Sequence, residues 1–91
     1  MLDHNSCPVP NPDVVGRLVG DEAVLVIAGK GEVKVLNEIG ARIWSLIDGT
    51  RTVGDIAGLI CSEYDVEPAQ AEADAIEFIE QLVGKGILTL R

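Results

Sequence analysis

The sequence predicts an α+β domain in which a three-stranded antiparallel meander precedes three helices and a short final strand. Between residues 14 and 36, short β-branched runs alternate with glycine-containing turns, which is typical of hairpins. Between residues 38 and 83, apolar residues recur at intervals of three and four, as in helices that bury one face. A chain of 91 residues is the size of one domain. We therefore expect a single core that the sheet and the helices share.

The first 13 residues differ from the rest of the chain. They contain prolines at positions 8, 10 and 12 and show no periodic pattern. Proline lacks a backbone N–H and disfavours regular structure. The sequence therefore predicts a flexible or extended N-terminal arm over residues 1–13 and a folded domain over residues 14–91.

Three strands follow the arm. The runs "VVGRLVG" and "EAVLVIA" are separated by Gly20-Asp21, and "AGKG" leads into "EVKVL". Because side chains alternate along a strand, Val33 and Val35 share one face, and Glu32, Lys34 and Leu36 lie on the other.

The first helix is predicted to begin after Asn37, whose side-chain oxygen can accept from an early helical N–H. Asp48-Gly49 ends it, because glycine adopts a positive φ readily. Its predicted inner face lies beside Trp44 and consists of Ile39, Ile43, Leu46 and Ile47.

Two more helices and a strand complete the predicted domain. Thr52 caps the second helix, and Asp55 takes the Glu or Gln position of a capping box. Pro68 suits the first turn of the third helix. The final "ILTL" is expected to return to the edge of the sheet. The predicted inner faces are Val53, Ile56, Ala57 and Ile60 in the second helix, and Ala69, Ala73, Ile76, Ile79, Leu82 and Val83 in the third.

Charge and cysteine usage limit the function. The chain has 7 Lys and Arg against 15 Asp and Glu, a formal net charge of -8. Binding to nucleic acid or to an anionic membrane needs clustered cations, so neither partner is expected. Two cysteines do not form a disulfide framework, and neither a signal sequence nor a membrane-spanning apolar run is visible. We expect a cytoplasmic protein.

No residue pattern indicates catalysis, a metal or a cofactor. His4 and Cys7 are two ligands of a tetrahedral site that needs four, and Cys61 has no histidine predicted near it. The stretch "AGKGE" lacks the phosphate-loop spacing and precedes a strand. We therefore expect a protein that is not an enzyme and binds no cofactor.

Acidic residues follow the third helix at positions 72, 74, 77 and 80. A solvated face is the usual explanation, and a surface for a basic peptide is the alternative. The second and third helices with a terminal strand also have the order of a winged helix-turn-helix. A DNA reader of that shape carries Lys or Arg at outward positions, and here those positions are acidic.

An ordered set of short motifs lies in the predicted domain. It consists of Leu36-Asn37, Gly40-Ala41, Ile43-Trp44, Leu46-Ile47-Asp48-Gly49, Thr52-Val53, Ile56, Tyr64, Val66, Asp74, Phe78, Leu82 and Gly86-Ile87-Leu88. In this set the chain resembles the pyrroloquinoline quinone biosynthesis protein D family, the peptide-recognition modules called RiPP recognition elements, and the resemblance covers residues 14 to about 90. It departs from that family at Ala28-Gly29, where a proline is common before the glycine. It also lacks the aromatic that many lasso-peptide members have before Leu36-Asn37.

The resemblance implies a winged helix-turn-helix-like domain without catalytic activity. Such a domain binds the leader segment of a ribosomally made precursor peptide and presents it to a radical S-adenosylmethionine enzyme. The peptide would add as a strand beside the third strand of the meander and lie against the third helix. Carried over to this chain, the resemblance implies that Val33, Lys34, Val35 and Leu36 form the strand edge. Helical periodicity supplies the candidate wall residues on the third helix, at the border between its predicted buried and solvated faces: Ala73, Ile76, Glu77 and Glu80.

Several alternatives stay open. Val33 and Val35 would instead belong to the core if their face is the inner one. A nucleic-acid-binding regulator and a structural subunit without a peptide ligand are the rival functions. A homodimer is also open, because a free strand edge suits a second copy as well as a peptide.

Overall fold

The structure, a computed structural model, describes residues 2–91, and Met1 lies outside it. It has five strands and three helices. They are β1 (Pro8–Pro10), β2 (Val14–Val19), β3 (Glu22–Ile27), β4 (Glu32–Leu36), α1 (Glu38–Leu46), α2 (Val53–Tyr64), α3 (Pro68–Gly84) and β5 (Leu88–Leu90).

The predicted meander is confirmed. Strands β2, β3 and β4 form an antiparallel sheet in that order, with Val19 opposite Glu22 at the first turn and Ile27 opposite Glu32 at the second. Gly20, Gly29 and Gly31 adopt positive φ in these turns, which glycine does without steric cost. The α+β class and the order of meander, three helices and final strand are also confirmed. The winged helix-turn-helix likeness stays a prediction.

The final strand does not join this sheet, so that prediction was wrong. β5 pairs instead with β1, a strand that the sequence did not predict because it reads Pro-Val-Pro. The flanking backbone supplies the donors that proline lacks: the Arg91 N–H donates to the Cys7 carbonyl at 2.8 Å, and the Asn11 N–H donates to the Ile87 carbonyl at 2.9 Å.

Residues 2–13 pack on the domain. The carbonyls of Ser6 and His4 accept from the first N–H groups of α2, those of Val53 and Gly54, both at 2.9 Å. These bonds satisfy donors that a helix start leaves without an intrahelical partner. The division into a flexible arm over 1–13 and a domain over 14–91 stays a prediction about motion in solution, and Met1 of that arm is outside the described residues.

The predicted helix caps are confirmed. Asn37 Oδ1 accepts from the Gly40 N–H at 2.9 Å at the start of α1. At the start of α2 the Asp55 N–H donates to Thr52 Oγ1 at 3.1 Å, and the Thr52 N–H donates to Asp55 Oδ2 at 3.0 Å. The capping box therefore works with aspartate in place of the usual glutamate.

The core lies between the inner face of the three-stranded sheet and the helices. β2 approaches α1 so closely at Gly16 that an added Cβ would lie 2.5 Å from Trp44 Nε1. In residues 2–91, no helix has the length and hydropathy needed to cross a membrane. The buried hydrophobic residues are Ala23, Leu25, Ile27, Leu36, Ala41, Ile43, Leu46, Ile47, Val53, Ile56, Ala57, Ile60, Ala71, Ala75, Ile79, Leu82, Ile87 and Leu88.

Two predicted inner faces need correction. Ile39 in α1 is exposed. In α3 the buried residues are Ala71, Ala75, Ile79 and Leu82, whereas Ala69 and Ala73 are exposed. Alanines at positions 69, 71, 73 and 75 fit either helical face, and packing against α2 selects the pair at 71 and 75.

Candidate functional site

β4 lies at an edge of the three-stranded sheet, and the hydrogen-bond pattern fixes which of its backbone groups are free. The Ala28 N–H donates to the Asp13 carbonyl at 3.1 Å, so the pair two positions further on, Val15 and Val26, also exchanges hydrogen bonds. Since bonded pairs alternate along antiparallel strands, residues 23, 25 and 27 of β3 bond to β4 through residues 36, 34 and 32. The N–H and C=O groups of Val33 and Val35 therefore point to the free edge.

The side chains of β4 point to the two faces of the sheet. Leu36 is buried in the core and Lys34 is half-buried on the same face. Val33 and Val35 are 63% and 61% exposed on the outer face. The alternative that these two valines belong to the core is therefore wrong.

α3 runs beside β4 in the opposite direction, and contacts at both ends show it. In the turn before β4, Lys30 Nζ donates to the Lys85 carbonyl just after α3, at 3.4 Å. Beyond the other end of β4, the Phe78 ring lies against Gly40, where an added Cβ would be 3.1 Å from Phe78 Cε1. The C-terminal half of α3 thus lies against the residues that flank β4 at both ends. We call the space between this half of α3 and the free edge of β4 the groove.

Two adjoining cavities lie along α3 on this side. One of about 220 Å³ has an apolar lining of Ile39, Ile43 and Phe78, with Asn37, Gly40 and Asp74 completing it. The other, of about 240 Å³, is lined by Asp74, Glu77, Phe78 and Gln81. Since Asp74 and Phe78 line both cavities, the two form a continuous depression with an apolar floor and carboxylates at its rim. Asp74 is oriented by Gln70, whose Nε2 donates to Asp74 Oδ1 at 2.8 Å.

The helix residues proposed from periodicity are distributed over different faces. Glu77 lines the second of these cavities. Glu80 instead borders a cavity of about 310 Å³ with Leu2, Val83, Gly84 and Leu90. Ala73 is exposed and Ile76 half-buried, and neither lines the depression beside β4. The residues that do line it include Asp74 and Phe78, which the resemblance already contained, and Gln81, which has no signal in the sequence.

The other titratable groups make local contacts. His4 Nδ1 lies 3.6 Å from Glu72 Oε1, with both side chains largely exposed, beside a cavity of about 400 Å³ that also contacts Cys61. Hydrogen bonds from the backbone and hydroxyl of Thr50, and then from the Arg51 backbone, lower the pKa of Asp48 to about 2. Across residues 2–91, no three His, Cys, Asp or Glu side chains lie close enough together to bind a metal ion.

Asp48 and Glu63 have their pKa values set by contacts within a turn and on the surface. Arg42 makes two hydrogen bonds to the Glu63 carboxylate, at 2.7 and 2.8 Å, and this pairing lowers the pKa of Glu63 and raises that of Arg42.

The groove offers a ligand main-chain hydrogen bonds, an apolar floor and negative charge. These are the means by which proteins bind an extended peptide.

An edge strand with free backbone groups beside a helix-lined groove is found in small domains that bind peptides by strand addition. Within this class, a family model described as coenzyme PQQ synthesis protein D (PqqD) matches residues 22–88. The chain belongs to the PqqD family, and the resemblance seen in the sequence is confirmed.

Individual relatives agree with this assignment. A PqqA binding protein of Xanthomonas euvesicatoria pv. vesicatoria (strain 85-10) is 35% identical over 65 residues, which are 71% of each chain. The structure of TbiB1 in complex with the TbiA(beta) leader peptide superposes with a TM-score of 0.82 at 32% identity, covering 88% of this chain and 93% of that one. The solution NMR structure of the PqqD truncation of Methylobacterium extorquens PqqCD, a stand-alone RiPP recognition element, gives 0.81 at 26% identity, covering 98% and 95%.

Proposed function

We propose that this chain is a peptide-binding scaffold that holds the leader segment of a ribosomally made precursor peptide. The observation that carries the proposal is the free edge of β4, where the backbone groups of Val33 and Val35 face the groove beside α3. A leader peptide in extended conformation would add there as a fourth strand. Relatives named for binding PqqA, and a similar structure in complex with a leader peptide, support this assignment.

The β4 edge would supply most of the sequence-independent affinity. Val33, Lys34, Val35 and Leu36 form its backbone, and the peptide would hydrogen-bond to the groups of Val33 and Val35. The backbone groups of Lys34 and Leu36 hydrogen-bond to β3 and are not available to the peptide. These two residues would instead hold Val33 and Val35 in place at the edge.

The helical wall would supply the side-chain selectivity. We assign it to Asp74, Glu77, Phe78 and Gln81, which line the depression beside β4. Of the four helix residues that periodicity suggested, only Glu77 belongs to this wall. Peptide side chains that point toward α3 would meet the Phe78 ring and two carboxylates, which favours apolar and basic residues there.

The scaffold would act without chemistry of its own and deliver the peptide to a modifying enzyme. A radical S-adenosylmethionine enzyme in the cytoplasm is the partner that the family resemblance implies. Because the groove offers hydrogen bonds and packing rather than a nucleophile with a base, the reaction would belong to that partner.

An NMR titration tests the peptide proposal. The labelled protein would be titrated with PqqA, with the TbiA(beta) leader peptide, and with peptides selected from a random display library. We expect the amide signals of Val33 and Val35 and the ring signals of Phe78 to shift most. If binding peptides are found and shift other residues while leaving these unchanged, or if the library yields no binder, the strand-addition proposal fails.

A further inference from the structure

The outer face of the three-stranded sheet carries a regular array of valines. The strand register arranges them in three rows across the sheet. The first row is Val15, Val26 and Val33, the second is Arg17, Val24 and Val35, and the third is Val19 and Glu22. We call these eight residues the valine face.

The valine face is exposed to solvent. Of the nine large hydrophobic side chains that are exposed in residues 2–91, five belong to it: Val15, Val19, Val26, Val33 and Val35, at 60%, 57%, 44%, 63% and 61%. Together they expose roughly 400 Å² of apolar surface, which is the size of patch that commonly marks an interaction site. Single exposed valines need no explanation, whereas five that adjoin on one face do.

The charge of this face is balanced, unlike that of the chain. It carries one cation, Arg17, and one anion, Glu22, in a molecule of formal net charge -8. The two lie diagonally across β2 and β3, because Arg17 is opposite Val24 and Glu22 is opposite Val19. Within residues 2–91 neither side chain forms an ion pair or a side-chain hydrogen bond.

We propose that the valine face is the interface of a homodimer in which two copies pack face to face. A two-fold axis in the plane between the sheets, passing between Arg17 and Glu22, brings Arg17 of each copy to Glu22 of the other. The two-fold axis thus forms the Arg17–Glu22 ion pair twice, whereas a different partner protein would need its own complementary charges. Val19, Val24 and Val35 lie close to this axis, so each packs against its equivalent in the other copy.

The available area suits this occupant. Interfaces are about 57% apolar, so roughly 400 Å² of apolar surface corresponds to roughly 700 Å² per copy once the polar rim is included. A standard interface buries about 800 Å² per partner. The remaining acidic residues of the two copies repel one another in the dimer. Salt screens this repulsion and should therefore strengthen the dimer.

Face-to-face packing leaves the peptide site open. The backbone groups of Val33 and Val35 point along the plane of the sheet, while their side chains point out of it. The dimer thus leaves free the backbone groups that the proposed peptide function needs. An edge-to-edge dimer through β4 would instead occupy the groups that the peptide needs.

Sedimentation velocity of the whole chain over the micromolar to millimolar range tests the proposal. We expect a monomer–dimer equilibrium whose dissociation constant rises roughly tenfold or more when Val19, Val24 and Val35 are replaced together by threonine. Threonine keeps the β-branched shape, and circular dichroism would confirm the fold. The control Leu18→Thr alters an equally exposed side chain on the opposite face of β2 and should leave the constant unchanged.

A charge-exchange experiment supplies an independent test that does not disturb the valines. Arg17→Glu and Glu22→Arg should each weaken self-association, because each variant opposes like charges in its own dimer. Mixed in equal amounts, the two variants should form a heterodimer, since both pairs are then opposite in sign. A chain that stays monomeric throughout the range overturns the proposal. So does a dimer that is unaffected by the threonine variant, or one that is dissociated by a bound peptide with apolar residues at its outward positions.

Discussion

Replacing Val35 by proline should abolish a hydrogen bond to the peptide while leaving the domain folded. The Val35 N–H points to the free edge of β4 and has no partner in the sheet. Proline is tolerated at edge positions whose N–H faces outward. Pairing between β3 and β4 is therefore retained, and we expect the free energy of unfolding to change by about 1 kcal/mol or less.

The loss of peptide affinity should be much larger than the loss of stability. One net hydrogen bond is worth about 0.5–1.5 kcal/mol, and a peptide carbonyl left without a donor costs about 1–3 kcal/mol. The two figures describe overlapping effects, so the total is about 1–3 kcal/mol. This corresponds to a dissociation constant that rises roughly 5- to 150-fold.

Isothermal titration with a peptide that binds the wild type, at a protein concentration where the wild type is monomeric, measures this effect. Val35→Thr is the matched control, because it keeps the N–H and the β-branched shape and should bind within about twofold of the wild type. The reasoning is refuted if the folded proline variant binds as tightly as the wild type. It is equally refuted if the threonine variant loses as much affinity as the proline variant, since the side chain would then carry the interaction.

Three further predictions concern single side chains. Phe78→Ala should weaken peptide binding roughly tenfold or more and lower stability by about 2 kcal/mol, whereas Phe78→Leu should recover most of the stability in denaturant titrations. The pKa of Asp48 is about 2 in the folded state, against an ordinary value of 3.8. The stabilisation that its carboxylate provides is therefore present above about pH 4 and lost toward pH 2. The difference in urea midpoint between the wild type and Asp48→Asn should shrink accordingly as the pH is lowered. Gly16→Ala should destabilise by about 1–3 kcal/mol and change the fluorescence of Trp44, the one tryptophan, and an unchanged spectrum would contradict the close approach.

The features that the sequence predicted correctly are local ones. A cap such as Asn37 or Thr52 involves residues within three positions of each other, so a short motif contains all the information needed. The pairing of β1 with β5 joins residues some 80 positions apart through a Pro-Val-Pro strand. Nothing local distinguishes that strand from a disordered arm. Long-range pairing of this kind depends on how the helices pack, because their packing determines where the C-terminal residues lie.

The candidate site shows the same limit in another form. Alternation along β4 shows that Val33 and Val35 share a face, but it does not tell which face the helices cover. The structure places the helices on the side of Leu36, which leaves the valines exposed. In α3, a difference of one residue rotates a side chain by about 100°. Glu80 and Gln81, adjacent in the chain, accordingly line different cavities.

β4 combines two kinds of surface because its backbone and its side chains point in perpendicular directions. A peptide added at its edge would also present every second side chain on the outer side, beside Val33 and Val35. Those peptide side chains would extend the valine face by a fourth strand, and the area available to a second copy would grow. Binding of peptide and formation of the dimer would then be coupled. Coupling between two binding equilibria is reciprocal. An apolar peptide would therefore strengthen the dimer by the same factor by which the dimer strengthens peptide binding. A peptide with charged residues at these outward positions would reverse the sign of the coupling without altering a single contact in the groove.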